Sequence, residues 1–158
     1  MRYDTMIKGL SIMKTLIVYD SVHGNTEKLA EAISDTISGE VKLLQAIQAN
    51  PFEFKSVDLL IIGSPTLAGK PTPAIQALLK EVPAGLNNAS AAAFDTRLST
   101  KWVRIFGYAA NKMAASLKRS GWKIIFPPNG FFVEGKNGPL KEGELERAME
   151  WAKEINLG

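Results

Sequence analysis

K-T-L-I-V-Y-D-S-V-H-G-N-T-E-K-L-A-E-A-I, from Lys14 to Ile33, is the stretch on which the fold turns. Its first seven residues are an apolar, β-branched run bounded by charge, the pattern of a short buried strand. Its last part belongs to a segment, Thr26 to Ile37, that carries Leu29, Ile33 and Ile37 four residues apart, which puts them on one stripe of a helix. Between the two lies a six-residue turn holding a glycine, two hydroxyls and an amide. Strand, polar glycine turn and helix together make the opening half of a β–α–β unit.

Moving outward, the same alternation repeats. Val41 to Ile47 is strand-like, and Asp58 to Gly63 (D-L-L-I-I-G) is a continuous apolar run suited to burial on both faces of a parallel sheet. Thr72-Pro73 offers a capping hydroxyl and a first-turn proline, so a helix is expected from there, with Ile75, Leu78 and Leu79 facing inward. Ala89 to Phe94 reads as a fourth strand. Ala110, Met113, Ala114 and Leu117 form an amphipathic helix that Gly121 ends. Trp122 to Phe126 reads as the fifth strand, with Phe131 to Val133 as an extension of it. Leu145, Ala148, Met149, Ala152 and Ile155 line a last helix. Five β–α repeats predict a three-layer α/β/α sandwich around a five-stranded parallel sheet. Ligands in such sheets bind beyond the carboxyl ends of the strands. Met13 stands just before the first strand, so residues 1–12 are expected to be a frayed tail and 13–158 a single domain.

The turn after the first strand, S-V-H-G-N-T, has the chemistry of a phosphate cradle. Gly24 lets backbone amides turn inward, Ser21 and Thr26 bring hydroxyls, Asn25 an amide, and the following helix points its positive end at the same place. No lysine or arginine lies in the turn. An apolar strand, S/T-x-x-G-N-T and a helix resemble the FMN-phosphate loop of the flavodoxin family, and G-N-T-E-K-L-A-E-A-I matches its continuation. The resemblance implies sheet order 2-1-3-4-5 and FMN as cofactor, with Ser21, Val22, His23, Gly24, Asn25 and Thr26 at its phosphate. His23 is the sole histidine; no serine–acid arrangement surrounds it, and it reads as a neighbour of the phosphate rather than an acid–base catalyst.

Gly63 to Pro73 (G-S-P-T-L-A-G-K-P-T-P) is not a nucleoside-triphosphate loop. Five residues rather than four separate Gly63 from Gly69, and Pro71 follows Lys70 where a magnesium-binding hydroxyl belongs. G-S-P-T instead resembles the second FMN loop of flavodoxins and of related quinone reductases, which implies that Ser64, Pro65, Thr66, Leu67, Ala68 and Gly69 run along the flavin edge. Many flavodoxins carry a stacking tryptophan in this loop; Leu67 and Ala68 stand in its region here, leaving one flavin face open or lightly covered. After the fourth strand, D-T-R-L-S-T-K-W places Asp95, Thr96 and Arg97 toward the polar edge of the flavin and makes Trp102 a candidate for stacking. Tyr108 and Phe106 are weaker candidates. F-D-T-R-L-S, then F-G-Y-A-A, then a tail from Gly130 to Leu145 also resemble one group within the flavodoxin family, so the likeness runs over residues 14–155.

Composition narrows the chemistry. The chain has no cysteine, which excludes disulfides, thiolate metal sites and cysteine nucleophiles. Its apolar runs are too short to span a bilayer, and its start does not read as a signal peptide, so a cytoplasmic location is expected. A net charge of +3 from scattered basic residues does not suggest a nucleic-acid surface. Two functions compete: an electron carrier docking on a redox partner protein, and a small FMN-dependent reductase passing hydride from NAD(P)H to a quinone or similar acceptor. A phosphoacceptor receiver shares the topology but needs an aspartate at the end of strand three, where Gly63-Ser64-Pro65 stands. Arg97 and Lys101 near the flavin would stabilise its reduced anion and make the potential less negative than that of acidic family carriers.

Overall fold

The computed structural model describes residues 12–85, 88–100 and 103–157. Along the chain run β1 (Lys14–Tyr19), α1 (Asn25–Thr36), β2 (Glu40–Gln45), β3 (Leu59–Pro65), α2 (Pro73–Glu81), β4 (Ser90–Leu98), a short α3 (Val103–Phe106), α4 (Ala109–Arg119), β5 (Lys123–Ile124), β6 (Asn129–Val133) and α5 (Glu144–Leu157). Two 3-10 turns, Ala46–Gln48 and Pro51–Phe54, carry the chain from β2 toward β3. The strands are parallel, in the order β2-β1-β3-β4-β5, as expected.

One departure lies at the sheet's outer position. The fifth strand is split: β5 pairs with Ser90 and Ala91 of β4, and β6 pairs with Phe94 to Leu98 of the same strand. Phe126, Pro127 and Pro128 fall in the gap, and two consecutive prolines have no N–H to donate to a ladder. Six strands therefore fill five positions.

Residues alternate cleanly across the sheet. Leu16, Val18, Leu60, Ile62, Ala91 and Ala93 face one way and pack with Ile75 and Leu78 of α2 and with Met113 and Leu117 of α4. Ile17, Leu59, Ile61, Ala92 and Phe94 face the other way, against Leu29 and Ile33 of α1 and Ala148, Trp151 and Ile155 of α5. Each central strand is thus buried on both sides, which is why its sequence is apolar without interruption. Phe94, Phe131 and Trp151 meet edge to face, with centroids 6.1 to 6.2 Å apart. The Phe94 ring occupies the space a Cβ would need at Gly63.

The helix expected from Thr72-Pro73 forms as read: Thr72 Oγ1 accepts the Ile75 N–H, and Pro73 opens the first turn. β4 is longer than expected. It runs through Asp95, Thr96 and Arg97, which are strand residues rather than loop residues. None of the described helices is long and apolar enough to cross a membrane.

Candidate functional site

At the carboxyl ends of β1, β3 and β4, three segments, joined by the end of β6 and the loop after it, meet around a cavity of about 190 Å³ lined by Ser21, Val22, His23, Asn25, Thr26, Pro65, Thr66, Leu67, Thr96, Arg97, Leu98, Val133 and Lys136.

The first segment is the β1–α1 turn. Gly24 caps α1 at φ 87°, ψ −4°, a left-handed conformation that glycine adopts without penalty. No side chain caps the helix from that position. Ser21 does part of the work instead, its Oγ accepting the N–H of Gly24 at 3.0 Å and that of Glu27 at 3.3 Å. The Thr26 and Thr96 hydroxyls lie 3.1 Å apart and buried. Whichever donates, the other keeps its proton for a ligand in the cavity. A helix start, a serine, an asparagine and a threonine pair thus present neutral donors to one small volume.

The second segment leaves β3. Ser64 is fully buried, and its Oγ accepts the Thr72 N–H at 3.0 Å, so it ties the two ends of the loop together and does not line the cavity. The Thr66 N–H continues the ladder to the Thr96 carbonyl, and its Oγ1 accepts the first amide of α4, that of Ala109, at 3.1 Å. Leu67 and Lys70 exchange both backbone hydrogen bonds, at 2.8 and 3.0 Å, around Ala68 (φ 48°) and Gly69 (φ 80°). Positive φ at both central residues makes this a tight two-residue turn of the primed kind, and an alanine there carries about 1–2 kcal/mol of backbone strain. The turn holds Leu67 at 45% exposure on the cavity rim.

The third segment is the end of β4. Asp95 and Arg97, expected toward a flavin edge, are paired with each other. Arg97 Nε and Nη2 donate to Asp95 Oδ1 and Oδ2 at 2.7 and 2.8 Å, and Asp95 Oδ2 also accepts the Ala110 N–H at 2.9 Å. Asp95 has no exposed surface and does not line the cavity. The Arg97 guanidinium lies 3.4 Å from the centre of the Tyr108 ring. It fits there because β6 carries Gly130 opposite Asp95, and any Cβ at Gly130 would overlap the guanidinium. Arg97 still borders the cavity, but with its charge compensated, so its expected effect on a nearby redox group is reduced.

The cavity therefore collects residues expected from all three loops, while Gly24, Ser64, Ala68, Gly69 and Asp95 shape it from outside. Trp102 and Lys101 lie outside the described residues. Three lining residues had no local signal: Leu98, Val133 and Lys136. They arrive with the end of β4, with β6 and with the loop after it. E-G-K-N-G-P, with two glycines and a proline, has the composition of a turn, but nothing in it says where the turn docks. Among the described residues no cluster of histidine and carboxylate side chains could hold a metal ion.

Comparison with known proteins agrees with this architecture. A family model described as "Flavodoxin domain" matches residues 16–133. A protein of Methanocaldococcus jannaschii named "Uncharacterized protein MJ0298" is 28% identical over 155 residues, covering 90% of this chain and 98% of its own. A flavodoxin from the domain Archaea superposes with a TM-score of 0.74 at 22% identity, over 92% of this chain and 97% of that one. Oxidised flavodoxin 1 from Bacillus cereus gives a TM-score of 0.76 at 17% identity, over 90% and 96% of the two chains. The rubredoxin oxygen:oxidoreductase of Desulfovibrio gigas gives 0.71 at 23% identity, over 91% of this chain and 35% of the larger one.

Proposed function

Because the chain belongs to the flavodoxin-domain family, we propose that it binds FMN at the cavity between β1, β3 and β4 and serves as an electron carrier. The observation that carries this reading is the convergence of the α1 start, Ser21, Asn25 and the Thr26–Thr96 pair on one cavity at the carboxyl ends of the strands. That donor set suits a phosphate ester, which helix amides and hydroxyls bind without a metal or a dense cluster of cations. Bound FMN would supply the exchange of electrons at its ring system. The protein's own part is to hold the phosphate, to frame the ring's surroundings with Pro65 to Leu67, and to leave an approach open.

The approach is apolar. Val22 and Leu67, on the loops of this end, are 55% and 45% exposed, and Ile105 and Phe106, on the short α3 beside Gly69, are 70% and 60% exposed. Exposed apolar residues beside a site suit transient docking of another molecule. Beside the Leu67–Lys70 turn, Lys70, Lys80, Lys112 and Arg119 border an open groove of about 520 Å³ between α2 and α4, floored by Pro71 and Leu79, with no acidic side chain on its lining. This charge supports a redox partner that presents carboxylates. It would also attract the phosphates of NADPH, and the groove is the observation that keeps an NAD(P)H-dependent reductase as the second reading.

Anaerobic spectroscopy of the FMN-reconstituted protein separates the two. A carrier gives bound flavin that dithionite reduces and NADPH leaves oxidised. Rapid bleaching by NADPH would replace the carrier with a reductase, and failure to bind FMN would remove both.

A further inference from the structure

We propose that Lys136 is the counter-charge of the phosphate site and makes this chain prefer a phosphorylated flavin to riboflavin; the inference rests on the reading of the cavity as the FMN-phosphate site. The β1–α1 turn has no cation of its own. The structure brings one from more than a hundred residues away.

The loop after β6 is built to do so. Glu134 N–H donates to the Pro139 carbonyl at 2.8 Å, and Gly138 N–H to the Gly135 carbonyl at 2.9 Å, which closes the segment on itself. Val133 and Leu140 then pair antiparallel, tying both ends of the loop to the sheet edge. Two contacts seat the closed loop on the start of α1. Asn25 Nδ2 donates to the Asn137 carbonyl at 3.4 Å. Gly138, at φ +94°, lies so close to the Asn25 amide that a Cβ would overlap it. Asn25 is only 9% exposed, so its side chain is held while it holds the loop. Immediately before these anchors stands Lys136, on the same cavity as Ser21, His23, Asn25 and Thr26.

Charge bookkeeping singles it out. The cavity lining contains one arginine and one lysine, Arg97 and Lys136. Arg97 is paired with Asp95 at 2.7 Å, whereas among the described residues no ion pair engages Lys136. A phosphate monoester carries a charge of roughly −1.5 to −2 at neutral pH. Neutral donors satisfy its oxygens, and the lysine answers its charge. Riboflavin offers no such charge, so Lys136 has nothing to add to its binding.

The test is a fluorescence-quenching titration of the flavin-free protein with FMN and, separately, riboflavin, for wild type, Lys136→Gln and Lys136→Arg. Lys136→Gln is expected to weaken FMN about tenfold, the worth of one charge-assisted hydrogen bond, and to leave riboflavin within about twofold. Lys136→Arg should restore FMN binding. In wild type the FMN affinity should fall more steeply with added salt than in Lys136→Gln. Equal losses for both flavins would make the lysine a structural part of its loop and overturn the inference, as would an unchanged FMN affinity. Wild type binding neither flavin would overturn the reading of the cavity itself, and the inference with it.

Discussion

Two arginine clamps hold the carboxyl half of β4 and β6, one on each face of the sheet, and they differ in depth. On the α4 face, Arg97 pairs with Asp95 and lies on Tyr108, while Asp95 also receives the Ala110 amide of α4. On the α5 face, Arg147 pairs with Glu144 at 2.8 Å and lies 4.4 Å from the centre of the Phe131 ring; it donates to the carbonyl of Gly130 and to Asn129 Oδ1, and Glu144 receives the Phe132 amide of β6. The parts are the same: carboxylate, guanidinium, aromatic ring and one backbone amide of a neighbouring element. Their surroundings are not. The Asp95 and Arg97 side chains are 0% and 13% exposed, those of Glu144 and Arg147 10% and 39%. The inner clamp stands beside the candidate site and fixes the start of α4. The outer one fastens α5 to the sheet edge, where water already screens the arginine. One constellation thus gives a deep structural joint in one place and a surface tether in the other.

Removing the inner carboxylate is the harshest way to break that contrast. Asp95→Ala leaves the largely buried Arg97 without a partner and the Ala110 amide without an acceptor, and should cost about 3 kcal/mol by denaturant unfolding. Next comes Gly130→Ala, which keeps both charges and only denies Arg97 its seat; about 2 kcal/mol is expected, as for other overpacked sites. If it proved neutral, the guanidinium would have another place to lie and the inner clamp would be no tighter than the outer.

Glu144 offers a pH handle on the outer clamp. Burial alone would raise its carboxyl above the ordinary glutamate value, but hydrogen bonds from Arg147 and the Phe132 amide, with the charges of Arg147 and Lys141, outweigh it and hold the group below that value. A carboxyl with a lowered folded value contributes stability that is fully present above the unfolded value of 4.5 and is lost as pH falls through the folded one. Glu144→Gln should therefore lower stability at pH 7 by about 1 kcal/mol. The gap to wild type should close as the pH falls below 4.5, which thermal melts across that range would follow. A gap that persists in acid would mean that shape, rather than charge, holds the outer clamp. Smallest of all should be Arg147→Lys, within about 0.5 kcal/mol: Arg147 is also bidentate to Glu144, but its side chain is 39% exposed, so water takes over what a lysine cannot reach, whereas Arg97→Lys, at 13% exposed, should cost more.

These clamps also explain what was legible in the sequence. The parallel sheet and the glycine turn after β1 could be read because each rests on local features: continuous apolar runs, a glycine that takes positive φ, and Thr72-Pro73 opening a helix; the strand order came only with the resemblance to the flavodoxin family. Asp95-Thr96-Arg97 read as loop because three polar residues rarely continue a buried strand. They do so here because each has a partner outside its own strand: Ala110 for Asp95, Thr26 for Thr96, and Tyr108 for Arg97. Lys136 was unreadable as a site residue for the same reason, its position being set by Asn25, more than a hundred residues earlier. The split of the fifth strand, in contrast, was written in Pro127 and Pro128 and needed only the rule that proline cannot donate.

That split has a bearing on how the molecule behaves among its own copies. The fifth position is an outer edge of the sheet, where a long unbroken strand would offer a row of open amides and carbonyls to any passing chain. Here the row is cut by two prolines, and beyond them the far end of β6 is already engaged by its own chain, Lys141 N–H reaching the Phe132 carbonyl and Glu134 N–H the Pro139 carbonyl. What remains at that border is too short and too interrupted to template edge-to-edge growth, so the interruption that divides the strand also guards this edge of the sheet against pairing with another chain.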